Sequence, residues 1–186
     1  MRDCTRHRVW LCLLIIALFT DSEQAISQAD TGSHWFTSEP AMLGGASGSL
    51  HGTVLAPRAG STLPVVLIHP GSGPTDRDGN NPLLPGKNNS LRLLAEGLAA
   101  WGIASLRIDK RGIAGSAAAA TGEADLRIDN YAKDAADWVR QLRRDTRFDR
   151  VVILGHSEGA LIGALAASQV PVDGSSRSLG LAGAAR

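Results

Sequence analysis

Two short, near-continuous apolar runs, Leu63 to His69 and Val151 to Leu154, punctuate the chain, and between them Ile103 to Ile108 reads as a further buried strand. Runs of this length that are rich in β-branched residues and lack polar alternation predict parallel strands buried on both faces. Between them the period changes. Leu91, Leu94, Ala95, Leu98 and Ala99 recur at helical spacing, with Ser90 placed to cap the helix and Trp101-Gly102 to end it. Over Tyr131 to Leu142 the stripe Tyr131, Ala135, Trp138, Val139 and Leu142 predicts an amphipathic helix, and Ala160 to Ala167 predicts a small-residue helix directly after the last strand. Upstream, Ser33 to Pro57 is broken by Gly and Ser and sets Leu50, Val54 and Leu55 against His51 and Thr53, which predicts a β-hairpin at one sheet edge. Strands alternating with helices across short connections predict an α/β fold, a mostly parallel sheet with helices on both faces.

Two connections are richer than a plain turn. Pro70 to Asn89 is long and crowded with Gly, Pro, Asn and Asp, and loops of that length inside a domain are usually functional. Asp109 to Gly122 is a loop of small residues.

The chemistry concentrates where the last strand meets its helix. Gly155-His156-Ser157-Glu158-Gly159 is Gly-x-Ser-x-Gly in a strand-to-helix setting, the pattern of a nucleophile elbow. A serine on such a strained turn needs glycines on either side, because side chains there would clash. Ser157 is the expected nucleophile, and the N–H of Glu158, at the positive end of the following helix, is an expected oxyanion donor. Acyl transfer needs a second donor, expected from the loop after the first buried strand: the N–H of Ser72, with Gly73 next.

Composition narrows the setting. With 186 residues, 44% of them hydrophobic, and a formal net charge of +1, the chain can build a globular core and carries no electrostatic case for nucleic acid or an anionic membrane as a partner. Arg2, Arg6 and Arg8 precede the apolar run Val9 to Phe19, and the chain then turns polar. That layout predicts a signal peptide over 1–29 and an exported domain over 30–186, with an N-terminal membrane anchor as the alternative. Cys4 and Cys12 both lie in the leader, so the exported portion is expected to lack disulfides, thiolate nucleophiles and cysteine metal sites.

In order along the chain, Gly71 to Asn80 (Gly-Ser-Gly-Pro-Thr-Asp-Arg-Asp-Gly-Asn), Asp109-Lys110-Arg111-Gly112 with Gly115-Ser116, and the Gly-His-Ser-Glu-Gly elbow resemble the α/β-hydrolases. Within them the likeness is to an esterase or serine-peptidase-like group, and it runs from about Ala46 to Val172. The resemblance implies hydrolysis of a small acyl substrate, an ester, thioester or peptide, without a cofactor. Asp109 and Arg111 are carried over as loop-organising residues only. In that family the triad acid and then the histidine follow the serine, but no histidine follows His156 here. Asp173 comes too soon after the elbow helix to be the acid. Val172 to Gly174 and Leu181 to Gly183 resemble the edges of a further strand, interrupted by Ser175 to Ser178. A partial α/β-hydrolase fold, C-terminally truncated, is the expectation, with a catalytically inactive fragment or binding-only pseudoenzyme as its rival.

Other chemistries fit poorly. A Gly-x-Gly-x-x-Gly dinucleotide loop beginning at Gly71 has Asp76 at its third glycine, where it would repel a pyrophosphate. A calcium loop beginning at Asp76 has Asn81 at its glycine position and Lys87 in place of the bidentate acid. His69 and His156 are expected to serve packing or loop hydrogen bonds rather than a metal or a proton relay.

Overall fold

The computed structural model describes residues 35–45, 48–58 and 61–175. The chain divides into the units Met1–Trp35 and Phe36–Arg186, and the architecture that follows is that of the second. The expected leader over 1–29 and the expected strand edge at Leu181 to Gly183 lie outside the described residues.

Among the described residues, one six-stranded sheet organises this unit. In chain order its elements are β1 (Phe36–Gly45), β2 (Gly48–Pro57), β3 (Leu63–His69), α1 (Ser90–Ala100), β4 (Ala104–Ile108), α2 (Ile128–Arg144), β5 (Phe148–Gly155), α3 (Glu158–Ala167) and β6 (Gly174–Ser175). The spatial order is β1-β2-β4-β3-β5-β6. The hairpin β1-β2 forms one edge and joins β4 antiparallel, and every later pairing is parallel. Strand β3 runs beside β5 with Val65 opposite Val151 and His69 opposite Gly155. The ends of β3 and β5 are thereby level, and so are the loops that leave them.

Helices cover both faces. Trp138, Val139 and Leu142 of α2 and Ile162 and Ala166 of α3 pack with Val65, Leu67, Leu106, Val151 and Ile153 on one side. On the other, Leu91, Ala95 and Ala99 of α1 close over Leu55, Val66 and Ile68. The alternation of strand residues between the two clusters is the period of two that a strand imposes. Coverage is unequal at β5: Val151 and Ile153 are buried, whereas Val152 and Leu154, which face α1, are only half-buried. The expectation of a strand buried on both faces holds for β3 and β4 and is incomplete here, because α1 lies over β4 and β2.

Three local expectations are corrected. Ser90 is the first residue of α1 rather than its cap; Asn89 holds the cap position at φ 50°, with no side-chain cap bond. The N–H groups of Leu91 and Arg92 turn instead to the carbonyl of Asp78, at 3.1 and 3.4 Å. A tertiary contact from the long loop thus satisfies the exposed donors of the helix end. Second, the small-residue loop after β4 contains a 3-10 helix, Ala114–Ala119, entered at Ala114 with φ 43°. Third, α2 extends beyond the expected span at both ends, and Asp134, outside the apolar stripe, is buried because it pairs with Arg111. The end of α1 is as read: Gly102, at φ 75°, takes the left-handed position that terminates a helix.

Candidate active site

The elbow is built from backbone geometry. Ser157 sits between β5 and α3 at φ 54° and ψ −121°, a conformation that costs a non-glycine residue on the order of 1–3 kcal/mol. What holds it there is the closeness of its surroundings. A Cβ on Gly155 would fall 2.2 Å from the backbone N of Ala160 and the carbonyl carbon of Gly159. One on Gly159 would fall 2.5 Å from the Pro70 carbonyl oxygen and 2.6 Å from that of His69. The elbow is therefore pressed both onto itself and onto the end of β3, and the His156 N–H donates to the His69 carbonyl at 3.0 Å. Ser157 itself is exposed.

The long loop arrives at the same place. A Cβ on Gly71 would lie 2.9 Å from Nδ1 of His156 and 3.4 Å from Cβ of Ser157, so the backbone of Gly71 is in van der Waals contact with the elbow. The residues expected to act together, Ser72, Ser157 and Glu158, are on adjoining turns at one end of the sheet. The N–H groups of Gly159 and Ala160 donate back to the carbonyls of His156 and Ser157, at 2.9 and 3.0 Å. Those of Ser72 and Glu158 have no hydrogen-bond partner among the described residues.

A set of charged side chains fixes the loop. Oδ1 of Asp76 accepts the N–H groups of Asp78 and Asn80 at 2.9 and 2.8 Å, closing a local turn. Arg77 reaches Asp109 through its backbone N–H at 2.8 Å and through its guanidinium at 3.0 and 2.5 Å. Asp109 is 1% exposed and also accepts the Gly115 N–H at 3.0 Å, tying both loops to one carboxylate. Asp78 pairs with Arg107 of β4, and Asn80 and Asn89 exchange two bonds across the loop, each 3.0 Å. Burial pushes the Arg107 guanidinium below its ordinary range and Asp78 partly restores it.

Asp109 does what the sequence assigned to it. Arg111 is held by Asp134 of α2 at 2.9 and 2.6 Å and donates to the Ala119 carbonyl at 2.8 Å. Arg77, Asp78 and Arg107 join this set without having been singled out by any sequence motif. A signal was present: Arg107 lies in a segment that reads as a buried strand, and a buried guanidinium needs a carboxylate partner.

His69 is not a poised base. His69 is 1% exposed, and its Nδ1–H donates to the Pro70 carbonyl at 2.9 Å. Burial pushes its pKa down to about 4, with the nearby charge of Lys110 acting in the same direction. His156 is exposed, not packed, with its ring against Gly71. Asp173 lies elsewhere: its carboxylate accepts the Val151 N–H at 2.8 Å and pairs with Arg143 of α2 at 2.9 Å, far back along β5 from the elbow. Among the described residues no cluster of His, Cys, Asp and Glu could hold a metal ion, and no helix is long and apolar enough to cross a membrane. A cleft of about 580 Å³ opens off the loop at Pro74, with Asn81, Leu84, Gly112 and Ile113 among its walls.

This architecture recurs in solved structures. The chain superimposes with a TM-score of 0.56 on the serine hydrolase XC6422 from Xanthomonas campestris, described as lacking a lid. The identity is 22%, over 74% of this chain and 59% of that one. It matches a dienelactone hydrolase from Anabaena variabilis with a TM-score of 0.56 and 24% identity, over 74% of this chain and 60% of that one. At these identities the likeness is one of fold. In sequence, the chain is 30% identical over 125 residues to the esterase EstD of Thermotoga maritima, which covers 67% of this chain and 29% of that protein. The chain thus spans less than a third of that esterase's length and about three fifths of those two solved chains. The profile of the serine aminopeptidase S33 family matches residues 88–182, a span that starts just before α1 and includes the whole elbow. By this sequence match the chain belongs to the serine aminopeptidase S33 family, and its fold is that of the α/β-hydrolases.

Proposed function

We propose that residues 36–175 carry the nucleophile and oxyanion halves of a serine hydrolase acting on acyl bonds, carboxylic esters first, with thioesters or peptides as further substrates. Ser157 Oγ attacks the carbonyl carbon. The N–H groups of Ser72 and Glu158 receive the oxygen as it gains charge, and no cofactor takes part. The observation that carries this reading is the left-handed backbone of Ser157, with two glycines that admit no side chain, on a turn touching the Gly71 backbone. Such a turn is costly to build and has an obvious use in presenting a hydroxyl. The similarity to an esterase favours esters.

A serine hydroxyl must lose its proton in the attack. No histidine follows Ser157 in residues 158–186, and His69 is buried and already committed. A triad acid and histidine in the family's order are therefore not assigned within residues 158–186. Without them the reading becomes a catalytically inactive or binding-only chain. A serine-directed fluorophosphonate probe separates the two: labelling abolished by Ser157→Ala supports the hydrolase, and absence of labelling supports the inactive chain. Joining a C-terminal portion with an acid and a histidine should raise ester turnover from near zero.

The site's address is also proposed: export with removal of the segment up to about Ala29, the Arg-flanked apolar run being short for an anchor. N-terminal sequencing of the exported protein checks this, and an uncleaved product that pellets with membranes would decide for the anchor.

A further inference from the structure

Lys110 is the most deeply placed cation near the elbow, and neither the nucleophile nor the oxyanion donors account for it. It follows β4 by two residues and is 4% exposed. Its Nζ donates to the carbonyl of Gly71 at 2.5 Å, stands 3.7 Å from Oε2 of Glu158 and lies 5.6 Å from the centre of the Tyr131 ring. One ammonium therefore bridges the two turns that supply the proposed oxyanion donors. Burial pushes it below the ordinary lysine range and the Glu158 carboxylate pulls it back.

The bond to Gly71 matters through peptide geometry. In a trans peptide the C=O of one residue and the N–H of the next lie in one plane and point opposite ways. The described residues contain no cis peptide. Fixing the Gly71 carbonyl therefore fixes the Ser72 N–H, aimed away from Lys110. Gly71 has no side chain to resist rotation of that plane, and no hydrogen bond from the Ser72 N–H secures its other end among the described residues. A glycine peptide left to itself would sample the flipped orientation, in which a carbonyl oxygen would face the developing oxyanion and repel it.

We propose that Lys110 is a positioning residue of the oxyanion hole: by holding the Gly71 carbonyl while paired with Glu158, it locks the Gly71–Ser72 peptide with its N–H toward the reacting carbonyl. This rests on the hydrolase reading for its use, but the orientation of the peptide can be measured independently.

Lys110→Met keeps the length of the side chain and removes donor and charge. By amide NMR of the chain, Ser72 should give one sharp resonance in the wild type and a broadened, doubled or displaced one in Lys110→Met, with the resonances of β3 and α1 unchanged. In fluorophosphonate labelling, the maximal rate at Ser157 should fall on the order of tenfold to a hundredfold in Lys110→Met, with the probe's half-saturating concentration little changed, as expected for weakening one oxyanion donor. Lys110→Arg, which retains a donor and a charge, should recover part of the rate. If Lys110→Met fails to fold by circular dichroism, Lys110→Gln takes its place in both measurements. An unaltered Ser72 resonance, or wild-type labelling kinetics in a folded variant, would overturn the proposal. A wild-type chain that never labels would overturn the hydrolase reading alone, and Ser72 would still decide whether Lys110 sets the peptide.

Discussion

The elbow and the long loop meet at Gly71, yet they hold their shapes by different means. The elbow is local: Gly155, Ser157 and Gly159 lie within one turn, and its form follows from which positions admit a Cβ. The loop over 70–89 is long-range, secured by Arg77 to Asp109, Asp78 to Arg107, Lys110 to the Gly71 carbonyl and Asn80 to Asn89. A local device fails when a single atom is added; a pegged loop loses one support at a time. Precision is needed in both, because the two donors must converge on one oxygen. The difference predicts an order of sensitivity to substitution.

Gly155→Ala should be the most damaging change. Its Cβ would sit 2.2 Å from backbone atoms of Gly159 and Ala160, which belong to α3 and cannot swing aside as a side chain would. The expected cost is above about 4 kcal/mol, in the range reserved for severe steric conflict, read from urea denaturation or as failure to fold. A stable Gly155→Ala would mean that the elbow can relax and that its form is not set by contact.

His69 lies where the two regions touch, and its effect appears with pH. Its folded pKa of about 4 lies below the ordinary 6.5. Between those values the unfolded chain binds a proton that the folded chain does not. Stability is therefore complete above about pH 6.5, falls as the pH drops toward 4, and this contribution is gone below it, about 3 kcal/mol in all. His69→Gln should flatten the pH profile across that window while leaving the carboxylate contribution at lower pH. An unchanged slope would show that His69 is not the group responsible.

Among the loop supports, Arg77→Ala should cost the most. It strips the guanidinium from a buried carboxylate that keeps only the Arg77 backbone and Gly115 N–H groups as donors. Breaking a fully buried pair costs roughly 3–5 kcal/mol, but Arg77 is 23% exposed, so about 2 kcal/mol is expected from chemical denaturation. Asp109→Asn should damage the loop as well, since it removes the charge that holds Arg77 in place. If Arg77→Ala matched Gly155→Ala in cost, the distinction between a local and a pegged region would fail.

The same contrast explains what the sequence made legible. The elbow and the buried strands could be read because their causes are local: apolar runs, a period change and glycines at fixed offsets around Ser157. The hairpin β1-β2 and the end of α1 at Gly102 were legible for the same reason. The cap of α1 was not, because its partner is the Asp78 carbonyl, supplied by a loop whose path depends on Arg107. Lys110 passed unremarked inside Asp-Lys-Arg-Gly because nothing in that stretch indicates that the chain brings it beneath Gly71. The half-exposed face of β5 depends on where α1 lies across the sheet, which no run of residues within β5 states.

Asn89→Gly offers the finest division between backbone fit and side-chain support. Asn89 occupies a left-handed position at the start of α1, accepts a bond from Asn80 Nδ2 and donates its backbone N–H to Asn80 Oδ1. Glycine adopts that backbone more easily and keeps the donated bond, so the accepted bond is lost and the unfolded chain gains entropy. These terms oppose the relief of the left-handed conformation, and the net cost should be below about 1 kcal/mol. Thermal melts of the variant and the wild type measure it directly. A loss of more than about 2 kcal/mol, beyond what one part-buried bond supplies, would show that the supports of the loop act as a cooperative network. The Gly71–Ser72 peptide would then depend on contacts as remote as Asn89.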